Sequence, residues 1–149
     1  MKPQCVIGWL LLIAVLTANA KAATPNIIVI MADDLGYSDL GVYGCKDIPT
    51  PHLDKLANDG MRFTSGYVTW PMCGPSRAGF LTGMHQSKFG YYENVSAPFD
   101  VKQGLPKVDT IGSLLQKQGY VTGGVGKWHM GTADEQHPNA LGFDDWFGF

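Results

Sequence analysis

The sequence carries little charge and has no excess of basic residues. Only 16% of its 149 residues are Asp, Glu, Lys or Arg, and the formal net charge is −2. A protein that binds nucleic acid through its phosphates usually presents a basic patch. The composition therefore argues against a nucleic-acid partner, and a hydrophobic content of 45% indicates an ordinary globular chain.

Long apolar runs are absent after residue 22. The one run of this kind, at 6–15, follows Lys2 and precedes small residues, which is the pattern of a secretory signal peptide over residues 1–22. A membrane span needs roughly 20 apolar residues. We therefore expect no stable membrane anchor, with an uncleaved anchor as the alternative. The expected protein is secreted or periplasmic, and lysosomal or extracellular in a eukaryote, after cleavage behind Ala20 or Ala22.

Cysteine is scarce, with three residues in the whole chain. Cys5 lies in the predicted signal peptide, so only Cys45 and Cys73 remain in the expected mature protein. In an oxidising compartment, a disulfide between these two is the simplest interpretation. A chemical modification of Cys73 would exclude that disulfide and leave Cys45 as a free thiol or paired beyond residue 149.

The pattern of residues 23–149 alternates between strand and helix signals. Short apolar or β-branched runs predict strands at 26–32, 62–68 and 120–125. N-cap and stop residues predict helices after Thr50, at 76–82 and after Thr110, with stops at Gly60, Gly83 and Gly119. This order favours an α/β fold with a mainly parallel sheet flanked by helices. Residues 86–108 are mixed and rich in Tyr, Pro and Gly, so we expect them at the surface.

Polar residues follow each predicted strand, where ligands bind in open parallel sheets. The three exits contain Asp33-Asp34, Cys73 with Arg77, and Lys127 with His129. We therefore expect two carboxylates, a thiol with an arginine, and a lysine with a histidine to meet at one edge of the sheet. His52, His85 and His137 are expected to be ordinary surface or packing residues.

Five blocks of the sequence resemble the type I, formylglycine-dependent sulfatases of the alkaline-phosphatase-like superfamily. They are residues 73–83 (CGPSRAGFLTG), 25–36, 50–54, 126–131 (GKWHMG) and 142–144. The likeness spans almost all of 23–149. It implies an alkaline-phosphatase-like fold, with 23–149 as the N-terminal part of a catalytic domain that is truncated at Phe149.

The resemblance also implies the nucleophile and its metal. In this family a maturation enzyme oxidises the cysteine at position 73 to formylglycine, whose hydrate offers two hydroxyls: one attacks sulfur and the other helps to expel sulfate. Asp33 and Asp34, together with the modified Cys73, resemble ligands of a divalent cation, Ca²⁺ or alternatively Mg²⁺.

Three further residues take catalytic roles by the same resemblance. Arg77 supports the formylglycine, Lys127 binds sulfate, and His129 hydrogen-bonds the diol and assists proton transfer. The implied substrate is a sulfated carbohydrate or aryl ester. Since the family's remaining ligands are not found before Phe149, we expect the segment alone to be inactive. We also expect it to fold poorly, because a sheet that continues beyond residue 149 would leave an apolar edge and the faces around Trp146 and Phe149 uncovered.

Two other functions stay open at this stage. A phosphonate or phosphodiester hydrolase of the same superfamily uses a similar cysteine motif, and fold does not separate these activities. A secreted, non-catalytic protein that binds sulfated sugars is the second alternative. Asn94-Val95-Ser96 also forms a glycosylation sequon, which is weak information because such triplets are common.

Overall fold

The computed structural model describes residues 24–95 and 104–149. These divide between two compact units: residues 24–34 belong to the first, which ends at Asp34, and residues 35–95 and 104–149 belong to the second, which begins at Leu35. The predicted signal peptide, residues 1–22, lies outside the described residues. Within the described ranges, no helix is both long enough and apolar enough to cross a membrane.

The described part of the first unit, residues 24–34, contains no strand, so the predicted strand at 26–32 is wrong. Its side chains are exposed, with Ile28 85% and Ile30 82% accessible to solvent. A strand requires a hydrogen-bonded neighbour, and no ladder to this segment forms among the described residues. The segment ends at Asp33 and Asp34, both exposed.

The described residues of the second unit form three α-helices. The sequence predicted all three, although the second begins at Cys73 rather than at residue 76. Helix α1 is Pro51–Asp59, α2 is Cys73–Thr82 and α3 is Ile111–Gln116. The described residues of this unit also form four short 3₁₀ helices. Gly41–Tyr43 precedes α1, Gln86–Lys88 lies between α2 and α3, and Asp134–Gln136 and Pro138–Leu141 follow α3.

The helix ends follow capping chemistry. The Thr110 hydroxyl oxygen accepts a hydrogen bond from the Ser113 amide, and the Ser113 hydroxyl oxygen accepts one from the Thr110 amide, which forms a capping box at the start of α3. Gly83 stops α2 in the left-handed conformation, at φ 64°. Thr50 precedes α1 as predicted, but its side chain does not cap the helix and instead donates to Asp54.

The sheet of the described residues has two parallel strands. Strand β1 is Gly123–Gly126 and β2 is Asp145–Gly148, paired from Gly123 with Asp145 to Gly126 with Gly148. β1 confirms a strand near 120–125 but begins later. The predicted strand at 62–68 is wrong, because those residues are turn and coil with exposed side chains. The α/β class is confirmed.

The core lies where the connection between β1 and β2 packs against α2 and the segment that follows it. Its buried apolar residues are Ala78, Tyr91, Val95, Leu105, Trp128, Met130 and Leu141. Tyr91, Val95 and Leu105 belong to the 86–108 stretch that sequence placed at the surface. That prediction is wrong for these three residues, which bury their apolar side chains although the stretch is rich in Tyr, Pro and Gly.

Candidate active site

Helix α2 presents Cys73 at its first position. Pro75 is tolerated in this first turn because its missing N–H would have no intrahelical partner there. The Ser76 hydroxyl donates to the Cys73 carbonyl at 3.0 Å, and the Ser76 amide donates to Met72 at 3.0 Å. Cys73 is half-buried and its thiol is free. The first helical turn therefore holds Cys73 by backbone and hydroxyl bonds.

Cys45 is also a free thiol in the structure. The disulfide between Cys45 and Cys73, one of the two alternatives from the sequence, is therefore absent from the structure. Modification of Cys73, the other alternative, requires this absence. Cys5 lies outside the described residues.

Small residues allow α2 to pack closely against its surroundings. Gly74, Pro75, Ala78 and Gly79 are its buried positions. A Cβ atom on Gly79 would collide with the Thr69 hydroxyl, and one on Gly74 would collide with the Tyr91 hydroxyl and lie 2.7 Å from the His129 carbonyl oxygen. Glycine at these positions is what lets the backbone of α2 approach Thr69 and His129.

Lys127 and His129 follow the end of β1, as predicted. The residue between them, Trp128, anchors this segment, which we call the β1 exit. Trp128 is 4% exposed; its indole N–H donates to the Gln136 carbonyl at 2.8 Å and its amide donates to Phe149 at 2.7 Å. Its ring also packs edge-on against two further aromatics, Phe143 and Trp146. Burial of Trp128 thus fixes the backbone of both candidate catalytic residues.

His129 has an unusual backbone conformation, with φ 59°. A positive φ is uncommon for a residue other than glycine and is sustained only when neighbours determine it. One such neighbour is Tyr91, whose hydroxyl donates to the His129 carbonyl at 3.0 Å. Burial raises the pKa of Tyr91 to about 12, so this hydroxyl keeps its proton at neutral pH.

Arg77 joins α2 to the β1 exit. Its Nη1 donates to the Lys127 carbonyl at 2.6 Å, and the residue is half-buried. Four of the six candidate residues, Cys73, Arg77, Lys127 and His129, therefore belong to one region of the second unit. The other two, Asp33 and Asp34, end the first unit. Asp34 also has a positive φ, 58°.

The remaining histidines have structural positions. His52 is exposed on α1. His85 and His137 each precede a 3₁₀ helix and accept a hydrogen bond from a backbone amide two residues later. These positions agree with the interpretation of all three as ordinary residues.

Two residues at this site were missed by sequence reasoning. Tyr91 contacts His129 as described, and the Asn94 side-chain oxygen accepts from the Gly74 amide at 2.9 Å. The only sequence signal at Asn94 was the sequon, which indicates an exposed residue, whereas Asn94 is half-buried. A short polar side chain within an irregular segment gives no periodic pattern from which such a contact could be predicted.

A model of the family described as Sulfatase matches residues 25–149. This chain belongs to the sulfatase family. The match covers more than half of the sequence and includes every candidate site residue. Its homologues include N-acetylgalactosamine-6-sulfatases and arylsulfatases, which are sulfuric ester hydrolases.

Two curated human sulfatases illustrate the likeness. N-acetylgalactosamine-6-sulfatase of Homo sapiens is 41% identical over 138 residues, covering 88% of this chain and 26% of the relative. Arylsulfatase A of Homo sapiens is 47% identical over 126 residues, covering 84% of this chain and 25% of the relative. The chain thus spans under a third of the length of the curated sulfatases it matches, 29% in the case of the dog N-acetylgalactosamine-6-sulfatase.

Solved sulfatase structures agree with the fold. The crystal structure of Ps i-CgsB in complex with k-i-k-neocarrahexaose has a TM-score of 0.80 at 47% identity, covering 84% of this chain and 28% of that one. The PsFucS1 sulfatase from Pseudoalteromonas sp. has a TM-score of 0.77 at 37% identity, covering 100% of this chain and 30% of that one. These neighbours have the alkaline-phosphatase-like fold, which confirms the fold expected from sequence.

Proposed function

We propose that the protein hydrolyses sulfate monoesters, ROSO₃⁻ + H₂O → ROH + HSO₄⁻, with a nucleophile derived from Cys73. The observation that carries this proposal is the bond from Arg77, on the helix that Cys73 opens, to the Lys127 carbonyl. This bond brings the family's nucleophile position and its sulfate-binding position into one region. Membership of the sulfatase family supports the same reaction.

The nucleophile proposed at position 73 is a formylglycine, produced from Cys73 by a maturation enzyme. The free, half-buried thiol and the Pro75 and Arg77 that follow it support this modification. When hydrated, the aldehyde supplies a hydroxyl that attacks sulfur and a second hydroxyl that allows sulfate to leave. Serine in this position would lack the second hydroxyl.

The proposed metal is a divalent cation, Ca²⁺ or Mg²⁺, held in part by Asp33 and Asp34 with the modified residue 73. Adjacent, exposed carboxylates are a donor set that fits a hard cation. Ca²⁺ takes about 6–8 oxygen ligands, so these residues supply only part of its coordination. The cation would supply Lewis-acid polarisation of the sulfate oxygens.

The cationic side chains provide electrostatic stabilisation in this proposal. Arg77 stays charged at all working pH values and lies on the helix of the nucleophile. The N-terminal end of that helix also favours anions. Lys127 binds the sulfate, and His129 transfers a proton to or from the reacting oxygen atoms.

A sulfated carbohydrate is the substrate class we propose. The relatives support it: one is named for N-acetylgalactosamine 6-sulfate, and one solved neighbour is in complex with a neocarrahexaose. Export through residues 1–22 would place the enzyme outside the cytoplasm, where such polymers occur. N-terminal sequencing of mature protein beginning near Lys21 or Ala23 would support export, whereas soluble cytoplasmic protein that keeps Met1 would contradict it.

The test uses full-length protein produced with a formylglycine-generating enzyme and supplied with Ca²⁺ or Mg²⁺. Mass spectrometry of the peptide around residue 73 should show an aldehyde in place of the thiol. An aryl sulfate and sulfated oligosaccharides should be hydrolysed, and Cys73→Ala, prepared in parallel, should be inactive. Faster turnover of an aryl phosphonate than of the sulfate would favour the phosphonate hydrolase instead. Binding of sulfated sugar without turnover of any ester would favour a non-catalytic protein.

A further inference from the structure

We propose that Tyr91 and Asn94 are positioning residues that fix the first turn of α2 against the backbone of His129. This inference rests on the proposed function, because it concerns the geometry of the same site. Neither residue is assigned a chemical step. Each acts through a group beside a catalytic residue: Tyr91 through the His129 carbonyl and Asn94 through the Gly74 amide.

Tyr91 acts on the backbone of His129. The residue is 4% exposed and its hydroxyl donates to the His129 carbonyl at 3.0 Å. The peptide that follows His129 is therefore held in one orientation by a part-buried hydrogen bond. Since His129 occupies the left-handed region at φ 59°, a competing extended conformation is available as soon as this bond is lost.

Asn94 acts on the backbone beside Cys73. Its Oδ1 accepts from the Gly74 amide at 2.9 Å. The first amides of a helix have no partner within the helix, so this side chain satisfies one of them from outside. The bond joins the position next to the nucleophile to a residue twenty positions further along the chain.

The hydrogen bonds of Tyr91 and Asn94 both lie beside Gly74, at the start of α2. A Cβ atom built on Gly74 would meet the Tyr91 hydroxyl, lie 2.7 Å from the His129 carbonyl oxygen and lie 3.2 Å from Asn94 Oδ1. The segment 91–94 therefore contacts both the start of α2 and the β1 exit at the point where these approach each other. A displacement of about 1 Å between catalytic groups costs on the order of 100-fold in rate, which gives these bonds a catalytic consequence.

The first experiment compares Tyr91→Phe with Tyr92→Phe in the full-length, matured protein. Tyr92 is the matched control, because Tyr92→Phe removes the same atom from a residue that is 42% exposed and whose ring packs on Trp70. We expect Tyr91→Phe to lower kcat for an aryl sulfate by about tenfold or more with KM little changed. Tyr92→Phe should leave both parameters near the parent values. Equal kinetics for the two variants would overturn the role of Tyr91.

The second experiment compares Asn94→Leu with Asn94→Asp. Both substitutions remove the sequon, so a difference between them does not come from glycosylation. Asp keeps an oxygen that accepts from the Gly74 amide, whereas Leu does not. We expect Asn94→Asp to retain most of kcat and Asn94→Leu to lose it at a temperature where both are folded. Equal losses in the two variants would mean that Asn94 only supports folding.

A third measurement is independent of catalysis. The amide NMR signals of Gly74 and Met130, on either side of the two bonds, should shift in Tyr91→Phe and Asn94→Leu but not in Tyr92→Phe. If the parent protein hydrolyses no sulfate ester, the proposed function fails while these shifts still decide the positioning claim. Unchanged amide signals in Tyr91→Phe and Asn94→Leu would overturn the positioning role. If Tyr91→Phe does not fold, the comparison of Asn94→Leu with Asn94→Asp decides the question.

Discussion

The Arg77 guanidinium donates to the main-chain carbonyl of Lys127 at 2.6 Å. The two residues are fifty positions apart in sequence, and this bond ties the helix that Cys73 opens to the exit of β1. An arginine in this position therefore combines a permanent positive charge with control of the distance between two parts of the site.

Replacing Arg77 with lysine should separate these two contributions. Lysine keeps the charge but lacks the planar fork that reaches the Lys127 carbonyl, so we expect kcat of the full-length enzyme to fall about 10- to 100-fold. Arg77→Ala loses the charge as well and should fall further, on the order of 100- to 1,000-fold. Steady-state kinetics with an aryl sulfate measure both. Full activity of Arg77→Lys would show that charge alone is required.

Lys127 and His129 should each be needed for turnover. We expect Lys127→Ala and His129→Asn to lower kcat/KM by on the order of 10²–10⁴-fold, because sulfate binding or proton transfer is lost. Asn is chosen at position 129 because it tolerates the positive φ that His129 adopts. Thermal unfolding should stay close to that of the parent. Near-parent hydrolysis by either variant would remove that residue from the catalytic set.

The hydrogen bond of the Trp128 indole should contribute more to the free energy of unfolding than that of the Trp70 indole. Trp128→Phe leaves the Gln136 carbonyl without its buried donor, which costs about 1–3 kcal/mol of the free energy of unfolding. The control is Trp70→Phe, which removes a bond to the Tyr92 carbonyl in an exposed setting and should cost less. Chemical denaturation of both variants gives the comparison. A larger loss for Trp70→Phe would contradict the assignment of Trp128 as the anchor of the β1 exit.

Asp144 should make the fold sensitive to acid. Hydrogen bonds from the amide and hydroxyl of Thr122 hold the pKa of Asp144 below its usual value of 3.8. A carboxyl with a lowered folded pKa stabilises the protein above its unfolded pKa, and this contribution is lost as the pH falls through the folded pKa. Asp144→Asn should therefore lower the melting temperature at neutral pH and flatten its decline below about pH 4. A decline as steep as that of the parent would contradict the linkage.

Local signals predicted the helices better than the sheet. Thr110 and Gly83 mark helix ends through their own backbone and side-chain preferences, so α2 and α3 could be located from sequence. The stretches 26–32 and 62–68 have the composition of strands, but strand formation depends on a neighbour, which composition does not specify. β2 was not predicted as a strand.

The candidate site was predictable only in part for a related reason. Cys73, Arg77, Lys127 and His129 stand in recognisable motifs, and the structure brings them into one region. Tyr91 and Asn94 stand in a segment without periodicity, and their bonds join positions 38 and 20 residues apart. Long-range polar contacts of this kind follow from the packing of the whole unit, which no local window contains.

The connection that joins β1 to β2 begins with Lys127, Trp128 and His129 and has Gly142 near its end. Three of the four β1 residues are glycines, so this strand adds little side-chain packing and loses much backbone entropy on ordering. We therefore expect strand pairing, burial of Trp128 and the left-handed turn at His129 to form together during folding. Local opening of this parallel pair would at the same time release the backbone of the candidate catalytic residues Lys127 and His129. The amides of Val125 and Trp128 should therefore exchange with solvent deuterium at a common rate.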